Sequence, residues 1–130
     1  MENLKITGAS DTFFTPDVDF DATTGLCYIS GESYLENTPE FYKKLMKWLE
    51  DYMQTRKPID FHFKLSYYNT SSNKAILKLM LLLKNYLDQG VTVKVTWHYN
   101  KNDDQMKEEA QDYALDTDLD IQIIDDLILS

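Results

Sequence analysis

Leu65-Ser66-Tyr67-Tyr68-Asn69-Thr70-Ser71-Ser72-Asn73-Lys74 is the stretch on which the rest of the chain hangs. Before it, Ile59 to Leu65 alternates, with Phe61, Phe63 and Leu65 opposed to Asp60, His62 and Lys64, the period of a half-buried strand. After it, a strongly apolar run, Ile76, Leu77, Leu79, Met80, Leu81, Leu82, Leu83 and Leu87, predicts a helix from about Ser71 to Gln89 that ends at Gly90. Val91 to Tyr99 then alternates again, so strand, long helix and strand form a βαβ unit with parallel strands. The hydroxyl-rich block falls where the first strand hands over to the helix.

Working outward toward the N-terminus, Arg56 to Pro58 separates this unit from an earlier helix. That helix opens at Asn37-Thr38-Pro39-Glu40, with Asn37 or Thr38 as cap and Pro39 in the first turn. Phe41, Leu45, Trp48, Leu49 and Tyr52 give it a single apolar stripe. Before it, Phe14 to Phe20 and Leu26 to Gly31 read as a hairpin turning at Asp21 to Gly25. Toward the C-terminus, Asp103 to about Leu115 predicts a third helix with an acidic outer face, followed by a last strand at Leu119 to Ile123. Leu127 to Leu129 form an apolar tail that needs cover or a partner. Nearly every strand alternates, whereas a sheet covered by helices on both faces has continuously apolar strands. The expectation is therefore a two-layer α/β sandwich, a mixed sheet of about five strands with helices packed mainly on one face, in a single domain spanning residues 1–130.

Composition narrows the function. The chain carries 13 basic and 22 acidic residues, net −9, with no basic stripe, so nucleic acid and anionic membranes are poor partners. One cysteine, Cys27, cannot form an internal disulfide and suits a reducing compartment. There is no signal-like N-terminus, and no apolar run approaches the ~18 residues of a membrane span, so the reading is a soluble cytoplasmic protein.

Asn69 to Ser72 sits outside the carboxyl end of a parallel strand, where α/β folds place their functional crevices. Asn, Thr and Ser are also what helix starts prefer, and a cap explains one or two of these residues without any function. A run of four exceeds what a cap needs. The functional alternative is a phosphoryl acceptor, because a phosphate at a helix N-terminus meets free N–H groups and the positive end of the dipole; Lys74 stands four residues beyond Thr70. A nucleophile is disfavoured, since there is no Gly-x-Ser-x-Gly elbow and no base can be assigned to these hydroxyls. His62 and His98 lie on the polar side of their strands and read as solvated residues; with Asp60 they lack any ligand-spaced motif for a metal.

The Tyr67-Tyr68-Asn69-Thr70-Ser71-Ser72-x-Lys74 core resembles the signature of the SiaC family of bacterial regulatory phosphoproteins. Gly31-Glu32-Ser33-Tyr34, Glu36-Asn37, and Val95, Trp97 and Tyr99 match as well. The resemblance implies a fold similar to the STAS domains of anti-sigma-factor antagonists, and a non-enzymatic switch without a cofactor. It also implies three protein partners: a dedicated serine/threonine kinase, a metal-dependent serine/threonine phosphatase, and an effector such as a diguanylate cyclase. By position the acceptor is Thr70, with Ser71 and Ser72 as alternates. Asn69, Ser71, Ser72, Lys74, Tyr68, Glu32 and Asn37 form the surroundings that a partner would touch. Two other classes remain open: a small-ligand or enzymatic crevice at Asn69 to Ser72 using Glu32 or His98, and a constitutive scaffolding dimer.

Overall fold

The computed structural model describes residues 1–10 and 13–128. In chain order the elements are β1 (Leu4–Ile6), β2 (Ala9–Ser10), β3 (Phe14–Thr15), β4 (Asp17–Phe20), β5 (Leu26–Ser33), α1 (Thr38–Met53), β6 (Ile59–Tyr68), α2 (Thr70–Asp88), β7 (Val93–His98), α3 (Asp104–Thr117) and β8 (Ile121–Ile124). Six strands form one mixed sheet in the order β1-β4-β5-β6-β7-β8, and β2 pairs with β3 in a small ribbon. The pairs β1–β4 and β4–β5 are antiparallel. From β5 onward every pair is parallel, joined in turn through α1, α2 and α3. Parallel order places the carboxyl ends of β5, β6 and β7, and so the starts of all three helices, at one end of the molecule.

The alternation seen in the sequence becomes two faces. Register sets Cys27 beside Phe61 and Val95, and Ile29 beside Phe63 and Trp97, and all of these are buried under the helices. From the helix side, Leu45, Leu49 and Tyr52 of α1 and Ile76, Leu79, Met80 and Leu83 of α2 complete the core. Tyr28, His62, Thr96 and Gln122 follow one another across the other face. The two-layer arrangement is compatible with a STAS-like architecture.

The sheet is wider than the expected five strands. Its first strand, Leu4-Lys5-Ile6, comes from the N-terminal arm, where three residues are too few to show a period, and it adds to the edge at Val18 to Phe20. The predicted strand Phe14 to Phe20 is broken at Pro16, whose missing N–H ends the pairing of β3 before β4 begins. β6 runs three residues past Leu65 to Tyr68, because Glu32 and Ser33 pair with Tyr67 and Tyr68 beyond a register shift at Gly31. Within the C-terminal tail, Leu127 is half-buried and its N–H donates to the Tyr99 carbonyl (3.0 Å), while Ile128 is exposed; Leu129 lies outside the described residues. No helix among the described residues is long and apolar enough to cross a membrane.

Candidate functional site at the start of the second helix

Asn69 is the single residue between β6 and α2. Its backbone is extended (φ −87°, ψ 178°), and its Oδ1 accepts from the Ser72 N–H at 3.0 Å, the geometry of an N-cap. Its own N–H is held by the Ser33 carbonyl at 3.1 Å, tying the junction to the end of β5. The three hydroxyls that follow have different environments.

Ser72 is fully buried. Its hydroxyl donates to the Ser33 carbonyl (3.0 Å) and lies 2.7 Å from Ser33 Oγ, which lies 2.8 Å from the Tyr42 hydroxyl. With the Ser72 proton committed to the carbonyl, the remaining donors run one way, from Tyr42 to Ser33 Oγ and from Ser33 Oγ to Ser72 Oγ. Burial pushes the Tyr42 phenol up to about 12, which keeps it a donor. Ser71 is exposed; its Oγ donates to Asn69 Oδ1 (3.2 Å) and contacts Thr38 Oγ1 of α1 (2.9 Å). Thr70 is exposed, is the first residue of α2, and takes no part in these bonds.

Two depressions flank α2 at this point. On the α3 side, Tyr68, Asn69 and Thr70 share a cleft of about 340 Å³ with Glu109, Asp112 and Asp116. The Tyr68 hydroxyl donates to Glu109 Oε2 (2.7 Å) and the Tyr113 hydroxyl to Asn73 Oδ1, so α3 is fastened to the junction by two phenols. Burial holds both phenols well above the ordinary tyrosine value. On the α1 side, Ser71 and Lys74 line a second depression with Tyr42, Met46 and Ala75.

The predicted site residues therefore divide. Tyr68, Asn69 and Thr70 meet in the cleft, while Ser71 and Lys74 face the other flank. Glu32 does not join them: beyond the shift at Gly31 it borders a separate depression with Gly8, Phe14 and Asp17. Asn37 caps α1 instead, accepting from the Glu40 N–H (3.4 Å) and donating to Glu40 Oε2 (2.9 Å). Glu109, Asp112 and Asp116 were read from the sequence only as part of a solvated helix face. Their nearness to Thr70 depends on how α3 packs, which no local pattern encodes.

The histidines correct a second expectation. His98 is only 7 % exposed, and its Nδ1 donates to Asp126 Oδ1 at 2.7 Å. That leaves its Nε2 to accept from His62 Nδ1 at 2.9 Å, with the two rings stacked. Asp60 Oδ1 lies 3.0 Å from His62 Nε2, close but poorly aligned for a hydrogen bond. Both rings sit on the sheet face away from the helices, so His98 cannot serve a crevice at Asn69 to Ser72. No group of three or more histidine, cysteine or acidic side chains placed to hold a metal occurs among the described residues.

With this geometry in hand, comparison with known proteins places the chain. The model of the SiaC family regulatory phosphoprotein matches residues 9–126. The chain belongs to the SiaC family. An uncharacterised protein of Pseudomonas aeruginosa strain UCBPP-PA14 is 30% identical over 117 residues, covering 89% of this chain and 90% of that protein. Among solved structures, apo-SiaC of P. aeruginosa superposes with a TM-score of 0.86 at 29% identity, covering 95% of this chain and 99% of that one. A chain in the crystal structure of the diguanylate cyclase SiaD in complex with its activator SiaC superposes with a TM-score of 0.83 at 28% identity, covering 92% and 98% of the two chains. Membership in the SiaC family makes this a regulatory protein.

Proposed function

We propose that this SiaC-family chain is a non-enzymatic cytoplasmic switch whose reversible phosphorylation at Thr70 controls its binding to an effector, with a diguanylate cyclase as that effector. A dedicated serine/threonine kinase adds the phosphate and a metal-dependent serine/threonine phosphatase removes it. The observation that carries this reading is the contrast within the hydroxyl block. Ser72 is buried and hydrogen-bonded, so a kinase would have to unfold the helix start to reach it. Thr70 is exposed on the first turn of α2, where a phosphate gains from the free N–H groups and the dipole. Ser71 is the one adjacent alternative, its hydroxyl already bonded to Asn69 and Thr38. Support for the effector comes from P. aeruginosa SiaC, described as the activator of SiaD in their complex.

Co-expression with the cognate kinase followed by phosphosite mapping tests the acceptor. Phosphate on Thr70 is expected, and modification confined to other residues overturns the assignment. For the output, Thr70→Ala should bind the cyclase as the unmodified protein does, and Thr70→Asp should bind at least tenfold more weakly. Equal binding by the two variants would rule out a charge-driven switch.

A further inference from the structure

The depression on the α1 side of α2 is a groove between two helices that start at the same end of the molecule. Its lining runs from residue 38 to 46 on α1 and from 71 to 78 on α2, about two turns of each helix. Its volume of about 340 Å³ is that of a small-molecule site, which spans roughly 300–1,000 Å³. The floor is apolar, with Tyr42 buried and Met46 and Ala75 half-buried. The rim is cationic: Lys43 comes from α1, Lys74 and Lys78 stand one turn apart on α2, and no carboxylate shares the lining. On a chain of net −9 this local reversal of sign is distinctive. All three lysines are exposed, and the lysine ion pairs among the described residues involve only Lys47 and Lys84.

We propose that the α1–α2 groove is a binding site for a small amphiphilic anion, a molecule with a short acyl or aromatic body and one carboxylate, sulfonate or phosphate head group. The body of such a ligand covers the floor formed by Tyr42, Met46 and Ala75 and removes apolar surface from water on both sides. The head group belongs at the lysines, because the hydroxyls of the groove have no proton to offer. Ser71 donates to Asn69 Oδ1, so in the contact between Ser71 and Thr38 it is Thr38 that donates, and both protons are spent. The three ammonium groups are the donors left, and N–H bonds from a cation to an anionic oxygen are the strong ones. The lysine stems can lie along the ligand body while their charged ends stay in water. A neutral ligand of the same shape forgoes those bonds, and a cationic one meets three like charges. Thr70 lines the cleft toward α3 and not this groove, so the site stands apart from the acceptor and does not depend on its modification.

The test titrates the intact, unmodified chain with octanoate, 1-octanol and octyltrimethylammonium, three probes with the same chain and different head groups, and follows amide chemical shifts by NMR. Octanoate is expected to shift Tyr42, Met46, Ala75 and Lys78 saturably. Octanol should bind at least tenfold more weakly, and the trimethylammonium should leave the groove unshifted. Lys74→Glu/Lys78→Glu should weaken octanoate binding at least tenfold. Lys5→Glu/Lys94→Glu changes the net charge equally at exposed positions outside the groove and should keep the affinity within about twofold. No saturable shift with octanoate, shifts centred outside the groove, or octanoate binding no tighter than either control probe overturns the proposal. Full octanoate binding by Lys74→Glu/Lys78→Glu also overturns it, as does an equal loss in the two double variants, which would reduce the attraction to the net charge of the chain.

Discussion

At Ser72 a hydroxyl within two residues of the proposed acceptor is committed to architecture. Three elements meet in the run Tyr42, Ser33, Ser72 and the Ser33 carbonyl, and removing one hydroxyl strands its buried neighbours without partners. Ser72→Ala should therefore lower the unfolding free energy by about 1–3 kcal/mol in urea titrations, while Thr70→Ala at an exposed position should change it by less than about 0.5 kcal/mol. Similar losses for both would mean that Thr70 is structurally engaged as well. Gly25 offers a backbone counterpart. It has φ +77°, and an added Cβ would fall 2.2 Å from the Pro58 carbonyl oxygen that accepts from Tyr52. Gly25→Ala should cost more than about 1 kcal/mol in the same assay.

At the scale of elements, the strand faces were legible and the contacts between strands were not. The polar period of β6 and β7 put His62 and His98 on one face, but only the register, with His62 opposite Thr96, sets the rings on a diagonal where they stack. Asp126 reaches His98 from a segment that follows the last strand, a partner no local pattern names. This cluster predicts that the sheet is sensitive to acid. Burial lowers the pKa of His62 below its ordinary 6.5, and His98 and Lys64 push the same way against Asp60. As pH falls through about 6.5 the unfolded chain binds its proton first, so this part of the stability is present at neutral pH and is lost on acidification. Asp126, held low by its hydrogen bond from His98, adds a loss of the same sign below 3.8. Urea midpoints should fall between pH 7 and pH 5, and His62→Gln should flatten that fall. A midpoint that rises on acidification would mean that Asp60 dominates the ring.

Across the whole molecule, the strand-to-helix junction at Thr70 was more legible in the sequence than the surfaces beside it. Thr70 is visible because a strand period, a cap residue and a helix period adjoin within ten residues. Lys43 and Lys74 are 31 positions apart, and only the packing of α1 on α2 makes them two sides of one groove. Charge at the start of α2 has a measurable signature. Phosphorylation takes the net charge from −9 to about −11, a small change for the whole chain but a large one at the start of α2. If the switch is electrostatic, its strength depends on screening: the Debye length is about 10 Å at 0.1 M salt and about 3 Å at 1 M. The cyclase should therefore prefer unmodified over Thr70-phosphorylated protein by at least tenfold at 0.1 M salt, and the preference should shrink several-fold toward 1 M as the phosphate charge is screened. A preference that holds across that range would show that the phosphate blocks docking by its bulk or by moving a helix, and would separate shape from charge as the way the switch acts.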